Sequence, residues 1–360
     1  IEIESGAALD VSTYDLTVTG DMDVAGDVTI GVSASSGLTV ADDLSIVSGG
    51  SIACSASGIS LITVSGNWTN AGTFTCETSV VTLDGSILQE VTTGGSSSAF
   101  YELEITNSSA DGVSFLDALY ADTLTAKTGV KRLTFKNGVT HVISTDLDVD
   151  GSKGNLISLV SASSGNAWKI DAPADSTLSY LIVQDSDAST FEAITTSNSV
   201  NNGGNINWDF GNVTYTGTGS WHTAENWGTG VVPGRYDDVI IDSGATCTIN
   251  QAPASIIANT ITISAGGVLD LNGYNIAIRN SGSITNEGTI RLTGEETISG
   301  DVTLDTSCTV VYTGTGTYTS LLFGNSYDNL SFDSSDGTGI WTLSENLTLT
   351  GDLTVASGEL

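Results

Sequence analysis

Basic side chains are almost missing from this chain. Nine Lys and Arg stand against 42 Asp and Glu in 360 residues, a formal net charge of −33. Residues 1–126 hold no Lys or Arg, nor do residues 292–360; all nine lie between Lys127 and Arg291. Such a surface repels phosphates, which excludes nucleic acid as a partner and disfavours anionic membranes. It favours solubility and can attract divalent cations. Long stretches without Lys or Arg also lack sites for trypsin-like proteases, which suits an extracellular or cell-surface life. No apolar run reaches the roughly 18 residues that span a bilayer as a helix, so no membrane insertion is expected. The four Cys form no C-x-x-C pair, which argues against zinc. There is no G-x-S-x-G motif, and two His leave few bases for a nucleophilic triad. No segment keeps a 3.6-residue apolar period over three turns, so almost no helix is expected.

What is present is strand and turn. Gly, Ser and Thr are abundant, and Val, Ile, Leu and Thr alternate between Gly, Asn, Asp and Ser. Leu16–Gly20, Val28–Ile30, Leu38–Val40, Leu44–Ile46 and Leu61–Val64 read as short strands with one apolar face. The sequence also repeats itself. IEIESGAALDVSTYDLTV (1–18) aligns without a gap on ITISAGGVLDLNGYNIAI (261–278), and SGNWTNAGTFT (65–75) on SGSITNEGTIR (281–291). FYELEI (100–105) pairs with YDNLSF (327–332), and DTLTAKTG (122–129) with GDLTVASG (351–358), in the same order. The reading is one β-solenoid segment over 1–210 and a second, truncated copy over 211–360. Because the chain starts with Ile1 and both copies look incomplete, it is expected to be a window onto a longer repetitive protein. Within each copy, apolar strands recur at roughly the length of one solenoid coil, and coils must stack to bury their apolar faces. The fold class expected is all-β, a parallel β-helix; the alternative is a string of immunoglobulin-like sandwiches.

Several phrases carry a resemblance. GNWTNAGTFT, FYELEITNSS and LTLTGDLTVASG are similar to the repeats of large bacterial cell-surface β-helix proteins. SYLIVQDSDAS followed by NSVNNGGNINWDF resembles the last coils of such a unit. SWHTAENWGTGVVPGRYDDVII resembles the W-x-x-x-x-N-W…P-x-x-x-D-x-x-x-I start of units in autotransporter-like and adhesin-like repeat proteins. The resemblance implies a right-handed parallel β-helix displayed outside the cell, and no shared catalytic residues. The stretch Gly203–Ile241 reads as a seam where one unit ends and the next begins, and within it Trp208 and Phe210 are expected to cover the last coil of one unit. Trp221 and Trp227 would cover the first coil of the next, with Pro233 setting the turn into Val239–Ile241.

Other candidates carry less. Asp146, Asp148 and Asp150 in DLDVDG begin like a calcium loop, so Ca2+ is the cation to consider, but the twelfth position is Ile157 rather than Glu. Leu147 and Val149 alternate with them like a buried face, which favours a solvated strand. Lys127, Lys131, Arg132 and Lys136 read either as a locally neutralised patch or as a contact stripe for an acidic neighbouring chain. Cys54 and Cys76 lie about one coil apart, either as stacked free thiols or as a disulfide. His141 reads as a packing or surface residue, and His222 as a turn residue. Paired carboxylates are uninformative in so acidic a chain, and the Thr arrays are too irregular for ice binding. N-x-S/T sequons begin at Asn67, Asn107, Asn212, Asn329 and Asn346. The leading expectation is a non-enzymatic structural protein that self-associates into a fibre, stalk or coat. An adhesin binding glycans through exposed Trp68, Trp168 or Trp341 is the alternative, and a carbohydrate-active β-helix enzyme the third reading.

Overall fold

The computed structural model describes residues 1–11, 14–31, 37–252, 257–279 and 282–360. Ser12, Thr13 and Ser281 of the aligned repeats lie outside these. Among the described residues every ladder between named strands is parallel, and helix is limited to the 3-10 turns Ser96–Ser98 and Ala224–Asn226. The architecture is a parallel β-solenoid, and tandem sandwiches, which need antiparallel hairpins, are excluded. No helix among the described residues is long and apolar enough to cross a membrane. The chain divides into two compact units, Ile1–Phe210 and Gly211–Leu360.

In the first unit each early coil contributes one strand to each of three sheets. Glu2–Ile3, Ala8–Asp10 and Leu16–Val18 make one such coil; Met22–Val24, Asp27–Ile30 and Gly37–Val40 make the next. The first and third sheets run to ten strands each, while the second stops after four, at Thr73–Thr75. Alternation along each strand decides which side chains go inward. Met22, Leu44, Trp68, Val91, Phe115 and Phe135 occupy successive positions of one inward row, each at most 1% exposed. Full burial of such a side chain contributes about 1.5–3 kcal/mol. Aromatics gather along the core: Trp68, Phe74 and Phe100 pack edge-on or tilted, and Phe135 stacks on Trp168 at 4.1 Å.

The second unit repeats the plan with a five-stranded and a seven-stranded sheet. Cys247, Leu269, Ile290, Val310 and Leu330 form one inward row, and Leu292, Tyr312 and Phe332 another. These rows continue to Leu353 and Val355, which are 45% and 47% exposed on the strand Leu353–Ser357.

Two of the sequence repeats fall on matching strands. The first block places strands at Glu2–Ile3, Ala8–Asp10 and Leu16–Val18, and its partner at Thr260–Ile263, Val268–Asp270 and Ile276–Ala277. The second block gives Asn70 and Asn286 the same role. Each is at most 2% exposed, and its Oδ1 accepts from the Gly two residues on, Gly72 or Gly288. Each Nδ2 donates to a carbonyl of the next coil, Thr93 O at 3.1 Å or Thr309 O at 3.3 Å. Only Gly fits after that asparagine: a Cβ on Gly72 would lie 2.3 Å from Gly50 O, and one on Gly288 2.3 Å from Ser264 O. The third and fourth blocks differ, lying in the third sheet of the first unit but in the seven-stranded sheet of the second.

Side chains also tie coils together on the outside. Asp21 Oδ1 accepts from Asp43 N, Asp43 Oδ1 from Asn67 N, and Asn67 Oδ1 from Glu90 N. Part of the acidic excess therefore caps backbone donors at a coil corner, where no ladder hydrogen bond is available.

Candidate functional site

The seam residues belong to the ends of two separate cores. Trp208 and Phe210 are half-buried against the first core and stack on each other at 5.9 Å, with Trp208 Nε1 donating to Ser186 Oγ. Trp221 and Trp227 are buried in the second core, edge-to-face at 4.7 Å. Trp227 Nε1 donates to Trp221 O at 2.7 Å, and Asn226 Nδ2 to the Tyr215 hydroxyl at 2.9 Å. Pro233 is buried, and the turn after it is closed by Gly234 N donating to Asp237 Oδ2. The W-x-x-x-x-N-W…P-x-x-x-D pattern thus has a packing or hydrogen-bonding reason at each fixed position. His222 joins this turn through its backbone N–H, which donates to Ser220 Oγ.

The aspartates of DLDVDG lie along the strand Thr140–Asp150, partly exposed, with Leu147 and Val149 buried between them. Lys127 Nζ donates to Asp148 and lies 3.7 Å from Asp150, which also accepts from Ser179 Oγ. Asp146 pairs in register with Thr123, away from that cation. Among the described residues no three His, Cys, Asp or Glu are grouped to hold a metal ion. The four basic residues of the stripe are exposed: Lys127 and Lys131 lie on the corner between the third-sheet strand Tyr120–Ala126 and the first-sheet strand Arg132–Phe135, Arg132 on that strand and Lys136 just past its far end. Lys127 is spent on the aspartates. Lys131, Arg132 and Lys136 form no ion pair among the described residues; Arg132 Nε donates to Thr134 Oγ1.

The three tryptophans expected to be exposed are inside. Trp68, Trp168 and Trp341 are at most 1% exposed, because each falls on an inward row. They offer no surface to a sugar. Asn107 is likewise fully buried, its Nδ2 donating to Ile87 O and Gln89 Oε1, so the folded chain hides that sequon. Cys54 and Cys76 are free thiols at adjacent register positions, since Thr75 pairs with Ala53. Burial raises both pKa values, that of Cys54 to about 11, which makes them poor nucleophiles near neutrality. A shallow depression of about 330 Å3 beside Cys76 is lined by Phe74, Glu77, Ser96 and Ser97.

His141 is fully buried in the first core. Its Nδ1 accepts from Leu119 N at 3.1 Å and its Nε2 donates to Lys136 O at 3.0 Å, which fixes one neutral tautomer. Phe135 and Trp168 pack edge-on against the ring. Burial lowers its pKa to about 4, against weaker opposing effects of the Lys136 carbonyl and Asp117.

One constellation escaped the sequence reading. Arg235 and Arg279 place their guanidinium carbons 4.7 and 4.9 Å from the centre of the Tyr236 ring. Arg235 Nη2 also donates to the Tyr236 hydroxyl at 2.7 Å. The two arginines are two coil lengths apart, so counting coils from Arg235 was the signal that could have joined them. No family model, curated protein sequence or solved structure matches this chain.

Proposed function

We propose that this chain is a structural repeat protein, part of an extracellular fibre, stalk or surface coat in which copies or further coils stack end to end. The observation that carries the reading is the set of unbroken inward rows, which makes each coil's burial depend on its neighbours. A charge of −33 and the lack of Lys and Arg over residues 1–126 suit a protease-exposed setting. The rival adhesin reading has lost its named tryptophans to the core. Negative-stain microscopy and sedimentation of the purified chain test the proposal. Rods or end-to-end oligomers that lengthen with concentration are expected, and discrete monomers at every concentration would overturn it.

A further inference from the structure

We propose that Arg235, Tyr236 and Arg279 form a carboxylate-binding site, and that its occupant is an aspartate or glutamate on the acidic surface of a second copy of this chain. The inference rests on the self-associating reading above and names a contact for it.

The site is built by layered chain. Asp237, whose carboxylate closes the turn that carries Arg235 and Tyr236, accepts from Asn259 N through its carbonyl. Arg279 N donates to Ala258 O, and Arg279 O accepts from Gly282 N. The backbone on both sides of Tyr236 is therefore anchored, and the ring reaches the guanidinium of Arg279 from an anchored turn. Stacking on one ring restricts both guanidinium planes and leaves N–H edges for a ligand. Because Tyr236 Oη accepts from Arg235, its own hydrogen is free to donate elsewhere. The groups left to face a ligand are donors, since the Asp237 carboxylate is engaged by Gly234 N and Tyr236 Oη by Arg235. Neither arginine forms an ion pair among the described residues, in a chain with 42 carboxylates.

The chemistry of the occupant follows from the donors and the field around them. Planar guanidinium edges match a carboxylate or a phosphate in bidentate fashion. The surrounding excess of negative charge repels a divalent anion more than a monovalent one, which selects the carboxylate. Another copy of the chain brings carboxylates on segments 1–126 and 292–360, which carry no base of their own. At physiological salt the screening length is about 8 Å, so repulsion between the bulk of two acidic copies is damped while a direct pair survives.

The test is sedimentation velocity of the whole chain at 0.15 M salt, comparing wild type with R235Q/R279Q, R235K/R279K and Y236F. The glutamine pair is expected to weaken self-association roughly tenfold with unchanged thermal midpoint. The lysine pair, which keeps the charge but loses the planar fork, should weaken it too, and Y236F should have the smallest effect. Association of the glutamine pair equal to wild type would overturn the inference and leave the structural reading standing. No association of wild type at any concentration would instead remove the reading on which it rests. Arginine-dependent binding of oligogalacturonate by calorimetry, without an effect on self-association, would reassign the site to an acidic glycan and overturn the proposal. Equivalent rescue by the lysine pair would reduce it to diffuse charge and overturn it as well.

Discussion

Acidification should loosen the first unit through a single side chain, His141. In the folded chain its imidazole is neutral, enclosed by Phe135 and Trp168, with both ring nitrogens engaged. Its pKa falls from the ordinary 6.5 to about 4 because burial penalises the charged ring. Between those two values the unfolded chain binds a proton that the folded chain refuses. Stability is therefore intact above pH 6.5 and is lost as the pH falls towards 4. The full amplitude is about 3 kcal/mol, of which about 2.5 kcal/mol is gone by pH 4.5. Many carboxylates titrate in the same range, so the useful quantity is a difference between two proteins. His141→Asn removes the titrating ring and keeps an acceptor for Leu119 N–H. Urea unfolding followed by Trp fluorescence should show that wild type loses about 2.5 kcal/mol more than the variant between pH 7.5 and pH 4.5. Parallel losses in the two proteins would refute the reasoning. So would an NMR titration of the His141 ring with a midpoint near 6.5.

Three further outcomes can be checked. Asn70→Ala and Asn286→Ala should each cost about 2 kcal/mol in urea unfolding, because a glycine N–H and a carbonyl of the next coil lose their partner inside the core. Trp227→Ala should destabilise the unit Gly211–Leu360 by about 3–5 kcal/mol, read by calorimetry, while the first unit's transition stays in place. Lys127→Met should cost less than about 1 kcal/mol, since the pair with Asp148 and Asp150 is exposed. Calorimetric titration of wild type with Ca2+ should show no saturable site that this substitution alters.

Alternation alone was enough to find Leu16–Val18, Leu44–Ile46 and Leu61–Val64, because a period of two between nearby Asp, Ser and Gly turn residues leaves few other structures. The repeats at 1–18 and 65–75 also fell on matching strands, since their glycines and asparagines mark corners and so fix phase. The blocks at 100–105 and 122–129 did not. Their Leu and Thr pattern suits any inward row, and nothing in it distinguishes one sheet from another. Trp68 was misread for a related reason. Whether a residue in a short strand faces in or out depends on where the preceding corner ends, and a slip of one position reverses it. The buried Asn70 two residues later, on the same face, was the available clue. The arginine–tyrosine cluster was missed because proximity across two coils shows only when coil lengths are counted, not in neighbouring positions.

The corners are where this chain tolerates revision. Hydrogen bonds that tie coil to coil join residues 18 apart at Leu181 and Ser199 but 30 apart at Ser220 and Asn250. Coil length thus varies at some bends, while the register along the strands is kept. A gene for such a protein can gain or lose one whole coil by unequal recombination without disturbing any inward row. It can also take insertions at bends that, unlike those at Gly72 and Gly288, hold no asparagine–glycine pair tied to the next coil. A single-residue slip within a strand, by contrast, would turn a core row out to solvent. Descent in this architecture should therefore proceed by whole coils and by decorated corners, and lineages would differ in length and in surface long before they differ in core.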